Sequence, residues 1–253
     1  MPDTLDAVLA TPGLPWLLVT LAGAGIIRGF TGFGTALIFV PVAGIFLAPP
    51  QVVALITLTG VASMAVLLPR AWGQADRRES GILGLAAAVT VPLGVMALQG
   101  LDAVTVRWIA AGVTLVTLGA LVAGWRYTGR VRARGLAGIG AGAGIVGGMT
   151  GLTGPVVILF YLAGRAGVQS VRANTILVLS ALDVVIVGTL LLRGVTDLYL
   201  LVLAAVLCVP YFITTMIGQA LFDPAHERLY RGIAYAVIFG AVLTGLPIWD
   251  NGG

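Results

Sequence analysis

The sequence has no lysine, one cysteine, one histidine and few charged residues of any kind. Only 9% of its 253 residues are charged, whereas a soluble domain carries about 25%. The lone Cys208 excludes a disulfide framework and a cysteine-based metal cluster. The 14 arginines form no basic face interleaved with aromatic residues, so we expect no nucleic-acid partner despite the net charge of +4. With no nucleophile–base pair, metal motif or phosphate loop, we expect no enzyme and no cofactor.

Long apolar segments take the place of the missing charge, and hydrophobic residues make up 59% of the chain. A spanning helix needs about 20 apolar residues. Six segments approach or exceed that length, namely Val52–Leu68, Gly81–Gly100, Val104–Trp125, Thr175–Leu192, Leu198–Phe222 and Leu229–Leu246. The N-terminus has no basic region of the kind that opens a cleavable signal peptide. We therefore predict an all-α, polytopic integral membrane protein of a bacterial inner membrane.

Two further apolar regions are interrupted by glycine. In the first, the short apolar runs Trp16–Thr31 and Thr35–Leu47 lie on either side of Gly32-Phe33-Gly34. In the second, the runs Leu136–Thr150 and Pro155–Ala163 lie on either side of Gly151-Leu152-Thr153-Gly154. Such breaks predict discontinuous or re-entrant helices. In lipid, an irregular backbone survives only where protein or a polar cavity covers it.

These features recur along the chain at a nearly constant spacing. An offset of 118 residues relates Gln51 to Gln169, Thr57 to Thr175, Pro92 to Pro210 and Gly100 to Gly218, and an offset of 121 relates Arg107 to Arg228 and Gly119 to Gly240. One coincidence means little, but an ordered series indicates duplication. We predict two five-segment transmembrane repeats, residues 1–130 and 131–253.

Arginine placement predicts the orientation, because cytoplasmic loops carry an excess of basic residues. If the two short segments around each break return to the side of the membrane on which they start, 11 arginines lie on the cytoplasmic side. Only Arg107 and Arg193 then lie on the periplasmic side. Arg28 lies within an apolar segment. Both termini are then periplasmic. Because Val52–Leu68 runs inward and its counterpart Thr175–Leu192 runs outward, the repeats are predicted to be inverted.

The two breaks are the predicted substrate site, because inverted repeats with broken helices place a transporter's site near the midplane. Thr153-Gly154-Pro155 is typical of a helix start, and Gly34-Thr35 has the same place in the first half. Helix N-termini present unpaired N–H groups to an anion. The candidate substrate-binding residues are Arg28, Thr31, Gly32, Phe33, Gly34, Thr35, Thr150, Gly151, Thr153, Gly154 and Asn174. Capping is the alternative role of Asn174, and helix packing is the alternative for the glycines.

Two charged residues lie inside predicted membrane segments. Arg28, next to the first break, is either the fixed cation of an anion site, a snorkelling side chain or the partner of Asp183. Asp183 is an ion-pair partner, a proton carrier or a hydrogen-bonding residue between helices. The corresponding region of the first half, around Ala65, has no acid.

The Gly-rich break in each half, the P-x7-G helix after a short basic loop and the two-repeat layout resemble the TauE/SafE sulfite exporter family. The resemblance covers nearly the whole chain. It implies export of sulfite or of a C2 organosulfonate such as sulfoacetate. The second break departs from the first, because Thr153-Gly154 stands where the first half has Gly34.

We therefore expect an exporter of small sulfur-containing anions that works by alternating access. A proton-coupled anion importer that uses Asp183 is the alternative, followed by an anion channel and an intramembrane enzyme. The expected partners are the anion and the lipid bilayer, with a homodimer as an alternative to a monomer. Membrane potential favours export, because one anionic charge leaving a negative cytoplasm gains about 2.3 kcal/mol per 100 mV.

Overall fold

The computed structural model describes residues 2–124, 131–163, 168–221 and 227–249. These residues form eleven α-helices and a short 3₁₀ helix at Pro247–Trp249. The α-helices are α1 Pro2–Leu9, α2 Leu14–Thr31, α3 Thr35–Ala43, α4 Pro49–Trp72, α5 Arg77–Gly100, α6 Ala103–Val122, α7 Ala133–Thr150, α8 Gly154–Ala163, α9 Val168–Leu192, α10 Leu198–Ala220 and α11 Glu227–Gly245.

Six of the described helices are long and apolar enough to cross a membrane, which confirms the predicted all-α, polytopic class. Five of them coincide with segments that the sequence predicted, although α6 and α10 end two to three residues before the predicted segments Val104–Trp125 and Leu198–Phe222 do. The sixth, α2, corrects the prediction of a short run, because its 18 residues begin at Leu14 and reach spanning length. The helix α11, Glu227–Gly245, covers all but the last residue of the predicted segment Leu229–Leu246.

Both predicted interruptions are present as breaks between helices. The first separates α2 from α3 at residues 32–34, and the second separates α7 from α8 at residues 151–153. Arg126, Arg130, Arg165 and His226, all assigned to loops, lie outside the described residues. The boundaries of the repeats at residues 1–130 and 131–253, their inversion and the periplasmic termini stay predictions.

Helix packing brings the two predicted halves together along equivalent pairs of helices. The two most extensive contacts join α2 to α10 and α7 to α5, so each broken region packs against the other half. The helices α4 and α9, which follow the breaks in their own halves, pack against each other at the centre. This pairing positions both breaks beside α4 and α9.

Glycines allow the helices to approach each other closely at the two main contacts, between α2 and α10 and between α7 and α5. Cβ atoms at Gly25 and Gly144 would each collide with a threonine hydroxyl on the facing helix, Thr214 of α10 and Thr90 of α5 respectively. Both glycines also face a backbone carbonyl of that helix, which for Gly25 is the carbonyl of Tyr211. Small residues allow membrane helices to approach in this way. Gly25 and Gly144 therefore serve helix packing at both contacts.

Candidate functional site

The first break is shaped by two glycines and one threonine. Gly32 and Gly34 have φ angles of 81° and 100°, a region that favours glycine because it has no Cβ. The hydroxyl of Thr31 lies 2.7 Å from the carbonyl oxygens of Ile27 and Phe33, and it accepts a hydrogen bond from the Phe33 N–H at 3.2 Å. Thr31, predicted to offer its hydroxyl to an anion, therefore uses that group to close the end of α2.

The second break repeats this arrangement. Gly151 has a φ angle of 74°, and the Thr150 hydroxyl donates to the Val146 carbonyl at 2.7 Å. The Leu152 N–H donates to the same hydroxyl at 3.2 Å. Thr150 and Thr31 therefore have equivalent local roles, and the free donors of the site come from other residues.

Each break packs against the first turns of the long central helix of the other half. A Cβ at Gly32 would lie 3.0 Å from Arg172 and 3.3 Å from Ile176 of α9. A Cβ at Gly151 would lie 2.8 Å from Ile56 and 3.5 Å from Val53 of α4. The two breaks therefore face α4 and α9 in the same manner.

The helix that follows the first break begins without a side-chain cap. Gly34 is the N-cap of α3 and supplies no side-chain acceptor for the first backbone N–H groups. Those groups have no partner within their own helix. Thr35, at the first helical position, is only 2% exposed, so this helix end is inside the protein. In the second half α8 begins at Gly154, with Pro155 in its first turn.

The charged centre of the molecule is the pair formed by Arg28 and Asp183. The two residues are 5% and 3% exposed, and Arg28 Nη2 lies 3.7 Å from Asp183 Oδ2. The pairing of Arg28 with Asp183, one of the alternatives predicted for these residues, is therefore present. Arg28 Nε and Nη2 nevertheless have no hydrogen-bond partner. A buried cation with open donors is costly, because buried polar groups are normally hydrogen-bonded.

Asp183 connects this pair to the second break and to α4. The Thr153 side chain lies near the Asp183 carboxylate. Gly60 of α4 faces the same carboxylate so closely that a Cβ there would collide with it. One carboxylate thus contacts Thr153 of the second break and Arg28, which precedes the first break.

Tyr211 is a residue of the site that the sequence analysis missed. It lies on α10, is fully buried, and its hydroxyl is 3.0 Å from the Thr35 hydroxyl. Its phenol is also close to Arg28, Ser63 and Asp183. A tyrosine inside an apolar helix gives no sequence signal of this role, but the buried hydroxyl requires a partner.

Two more buried hydroxyls lie near this cluster in the sequence. Ser180 is one turn before Asp183, and Thr215 is one turn after Tyr211; neither hydroxyl has a hydrogen-bond partner in the described structure. Gly29, next to Arg28, faces the backbone of Thr215. In the described structure the guanidinium of Arg28 and these two hydroxyls therefore have N–H and O–H groups that an anion can accept.

Asn174 and Arg172 have structural partners. The Asn174 side-chain oxygen accepts a hydrogen bond from the Asp76 backbone N–H at 2.7 Å, so it holds the loop between α4 and α5. Arg172 Nη2 donates to the Gly29 carbonyl at 2.6 Å, near the C-terminal end of α2, where a cation is favourable. Asn174 therefore has the capping role that was predicted as its alternative.

We define the central cluster as Arg28, Thr35, Ser63, Thr153, Asp183 and Tyr211. Of the residues predicted from the sequence, the structure brings Arg28, Thr35, Thr153 and Asp183 together there. Phe33 is 6% exposed beside the first break.

Comparison with known proteins gives a consistent result. A family model described as sulfite exporter TauE/SafE matches residues 17–244. A protein of Cupriavidus necator described as a probable sulfite/organosulfonate exporter TauE is 28% identical over 249 residues, which cover 93% of this chain and 97% of that protein. No solved structure matches the chain. The matched region contains both breaks and the whole central cluster.

Proposed function

The chain belongs to the sulfite exporter TauE/SafE family, and we propose that it exports small sulfur-containing anions, either sulfite or a C2 organosulfonate such as sulfoacetate. The observation that carries this proposal is the buried guanidinium of Arg28, which has two nitrogen atoms without hydrogen-bond partners. The related protein of Cupriavidus necator, described as a probable sulfite/organosulfonate exporter, supports the same substrate class.

The chemistry of the central cluster suits a sulfonate or sulfite head group. A guanidinium presents a planar fork of N–H donors that two oxygens of one anion can accept together. The uncapped N-terminus of α3 lies near the same space, because Thr35 and Arg28 both adjoin Tyr211. A helix N-terminus adds backbone N–H donors and a partial positive charge.

Transport by this site proceeds by alternating access between two inverted repeats. The equivalent contacts of α2 with α10 and of α7 with α5 support this mechanism, because each half then moves against a matching surface of the other. In such transporters the site stays near the midplane while the halves rock around it. Export needs no obligate coupling ion, because the membrane potential drives a monovalent anion outward by about 2.3 kcal/mol per 100 mV.

Proton-coupled anion import is the second candidate, and the buried carboxylate of Asp183 is the observation that favours it. A carboxylate inside a membrane protein is often part of a proton pathway. The two functions differ in their driving force. Import by this route requires a pH gradient, whereas export as a uniport responds to the potential alone.

The test is transport by purified protein in liposomes loaded with radiolabelled sulfite or sulfoacetate. A potassium gradient with valinomycin sets the potential, and matched buffers hold the pH equal on both sides. We expect efflux that rises with an inside-negative potential and that Arg28→Ala strongly reduces. Movement of neither anion would contradict the proposed substrate class. Uptake that requires a pH gradient and disappears in Asp183→Asn would favour the importer instead.

A further inference from the structure

The contact between Arg28 and Asp183 is an ion pair without a hydrogen bond. Its shortest distance, 3.7 Å between Nη2 and Oδ2, exceeds the roughly 2.7–2.9 Å of a charge-assisted hydrogen bond. A guanidinium and a carboxylate can form two parallel hydrogen bonds, yet Arg28 Nε and Nη2 make none. The pair neutralises charge in the protein interior and leaves the directional donors of Arg28 open.

Asp183 is held by contacts that do not depend on Arg28. Its carboxylate lies against the backbone of α4 at Gly60, in the space that a Cβ would fill. Thr153 of the second break lies near the same carboxylate. Asp183 can therefore keep partners if another anion takes the donors of Arg28.

We infer that Asp183 is an internal anion that competes with the transported anion for Arg28. This inference rests on the proposed function, since it assumes that an anion binds at the central cluster. In the empty site the carboxylate balances the buried guanidinium. When substrate enters, its oxygens accept the open N–H groups of Arg28, and Asp183 remains with Thr153.

Competition of this kind affects both binding and release. The negative charge of Asp183 lowers the affinity of a nearby anion, because like charges repel most strongly at buried sites. The same charge favours the return of Asp183 to Arg28, which helps to expel the substrate. A tightly held ligand dissociates slowly. An internal anion that competes with the substrate therefore speeds substrate release and raises the turnover of the transporter. Arg28 is on α2 and Asp183 on α9, so the exchange also alters a contact between the two halves.

Asp183→Asn is the direct test, because it removes the charge and keeps nearly the same shape and an oxygen acceptor for Thr153. We expect this variant to bind sulfite or sulfoacetate at least about tenfold more tightly than the unchanged protein. We also expect a lower KM for efflux together with a lower maximal rate. Loss of a purely structural contact would not tighten binding.

The matched control is Asp197→Asn, which makes the same change of charge outside the cluster. Asp197 caps α10 by accepting a hydrogen bond from the Leu200 N–H at 2.8 Å, and asparagine is an equally good cap. Sulfite and sulfoacetate are titrated separately into the detergent-purified full chain by calorimetry. Affinity in Asp197→Asn should equal that of the unchanged protein.

The outcomes separate the inference from the proposed function. If the unchanged protein binds either anion and Asp183→Asn binds it equally or more weakly, the inference is wrong and the function stands. If neither protein binds sulfite or sulfoacetate, the proposed substrate class fails, and the inference fails with it. Should Asp183→Asn be unstable when empty, we expect sulfite to raise its Tm more than that of the unchanged protein. An equal or smaller rise would overturn the inference.

Discussion

The Tyr211 hydroxyl lies 3.0 Å from the Thr35 hydroxyl, which ties the first turn of α3 to α10. Both side chains are buried, at 0% and 2% exposed. A hydroxyl pair of this kind satisfies two groups that would otherwise be costly inside the protein. Because Tyr211 is also close to Arg28, the bond positions the uncapped end of α3 beside the open guanidinium.

Tyr211→Phe should therefore weaken anion binding as well as stability. Removing the hydroxyl leaves Thr35 without this partner and should lower the free energy of unfolding by about 1 kcal/mol. We expect the affinity for sulfite or sulfoacetate to fall about 3- to 10-fold, because α3 is held less firmly. Calorimetric titration and thermal unfolding measure the two effects.

Tyr199→Phe is the control for that change. The Tyr199 hydroxyl lies 2.9 Å from the Thr11 hydroxyl. The substitution therefore removes the same kind of hydrogen bond at a place outside the central cluster. A similar loss of stability with unchanged affinity is expected. Equal effects of both variants on affinity would mean that Tyr211 acts only through general stability.

Arg28→Lys should weaken anion binding although the positive charge is kept. Lysine has no planar fork and cannot present two parallel donors to one anion. Losing one charge-assisted partner costs about 1.5–3 kcal/mol, or roughly 10- to 150-fold in affinity. Arg28→Ala should cost more, because it also removes the charge.

Arg193→Lys and Arg193→Ala are the controls for those variants. Arg193 is exposed and donates a hydrogen bond to Gln99 Oε1 at 3.1 Å, so changes there should leave affinity unaltered. Unchanged affinity in both folded Arg28 variants would remove Arg28 from the site. Anion binding would then be left to backbone N–H groups and hydroxyls.

A double-mutant cycle on Arg28 and Asp183 should reveal a coupled buried pair. Arg28→Ala or Asp183→Ala alone leaves a buried charge without its partner and should cost about 3–5 kcal/mol of stability. The double variant removes both charges and should recover much of that loss. Unfolding in detergent measures the three proteins, and simple additivity of the two losses would show that the residues are not coupled.

The sequence predicted the main architecture because its signals are local or periodic. Apolar runs predict spanning helices by length alone, and the glycines at 32, 34 and 151 predict breaks because they adopt positive φ angles. The length of α2 was underestimated, since its start at Leu14 is preceded by proline and glycine and lacks a polar cap. Gln51 accepts a hydrogen bond from the Ala48 N–H at 3.1 Å and so caps the start of α4.

The candidate site was less predictable, because it is assembled from helices that are distant in sequence. Arg28 and Asp183 were identified as candidate site residues because they are charged residues inside apolar segments. The structure pairs them. Nothing in the sequence marked Tyr211 as a site residue, because a lone aromatic in an apolar helix resembles a core residue. Thr31 was given a role in the site, but its hydroxyl is used within the break.

Gly218→Ala should destabilise the contact between α2 and α10. A Cβ at Gly218 would collide with the Ile26 backbone carbonyl, and overpacking of this kind costs about 1–3 kcal/mol. Gly119→Ala in α6 is the control, because a Cβ there meets nothing within 4 Å. We expect a clear fall in Tm only for Gly218→Ala. Equal Tm values in the two variants would show that α2 and α10 can move apart without loss of stability.

The predicted orientation can be tested at the two ends of α5. This helix has 24 residues and is about 36 Å long, so the loops before and after it lie on opposite sides of the membrane. The arginine distribution places the loop at Gln74 in the cytoplasm and the loop at Leu101 in the periplasm. Both residues are exposed, and the native Cys208 can be replaced by alanine to leave one thiol in each variant. In intact spheroplasts an impermeant maleimide should label Leu101→Cys, whereas Gln74→Cys should react only after permeabilisation. The reverse pattern would contradict the predicted orientation and invert the topology.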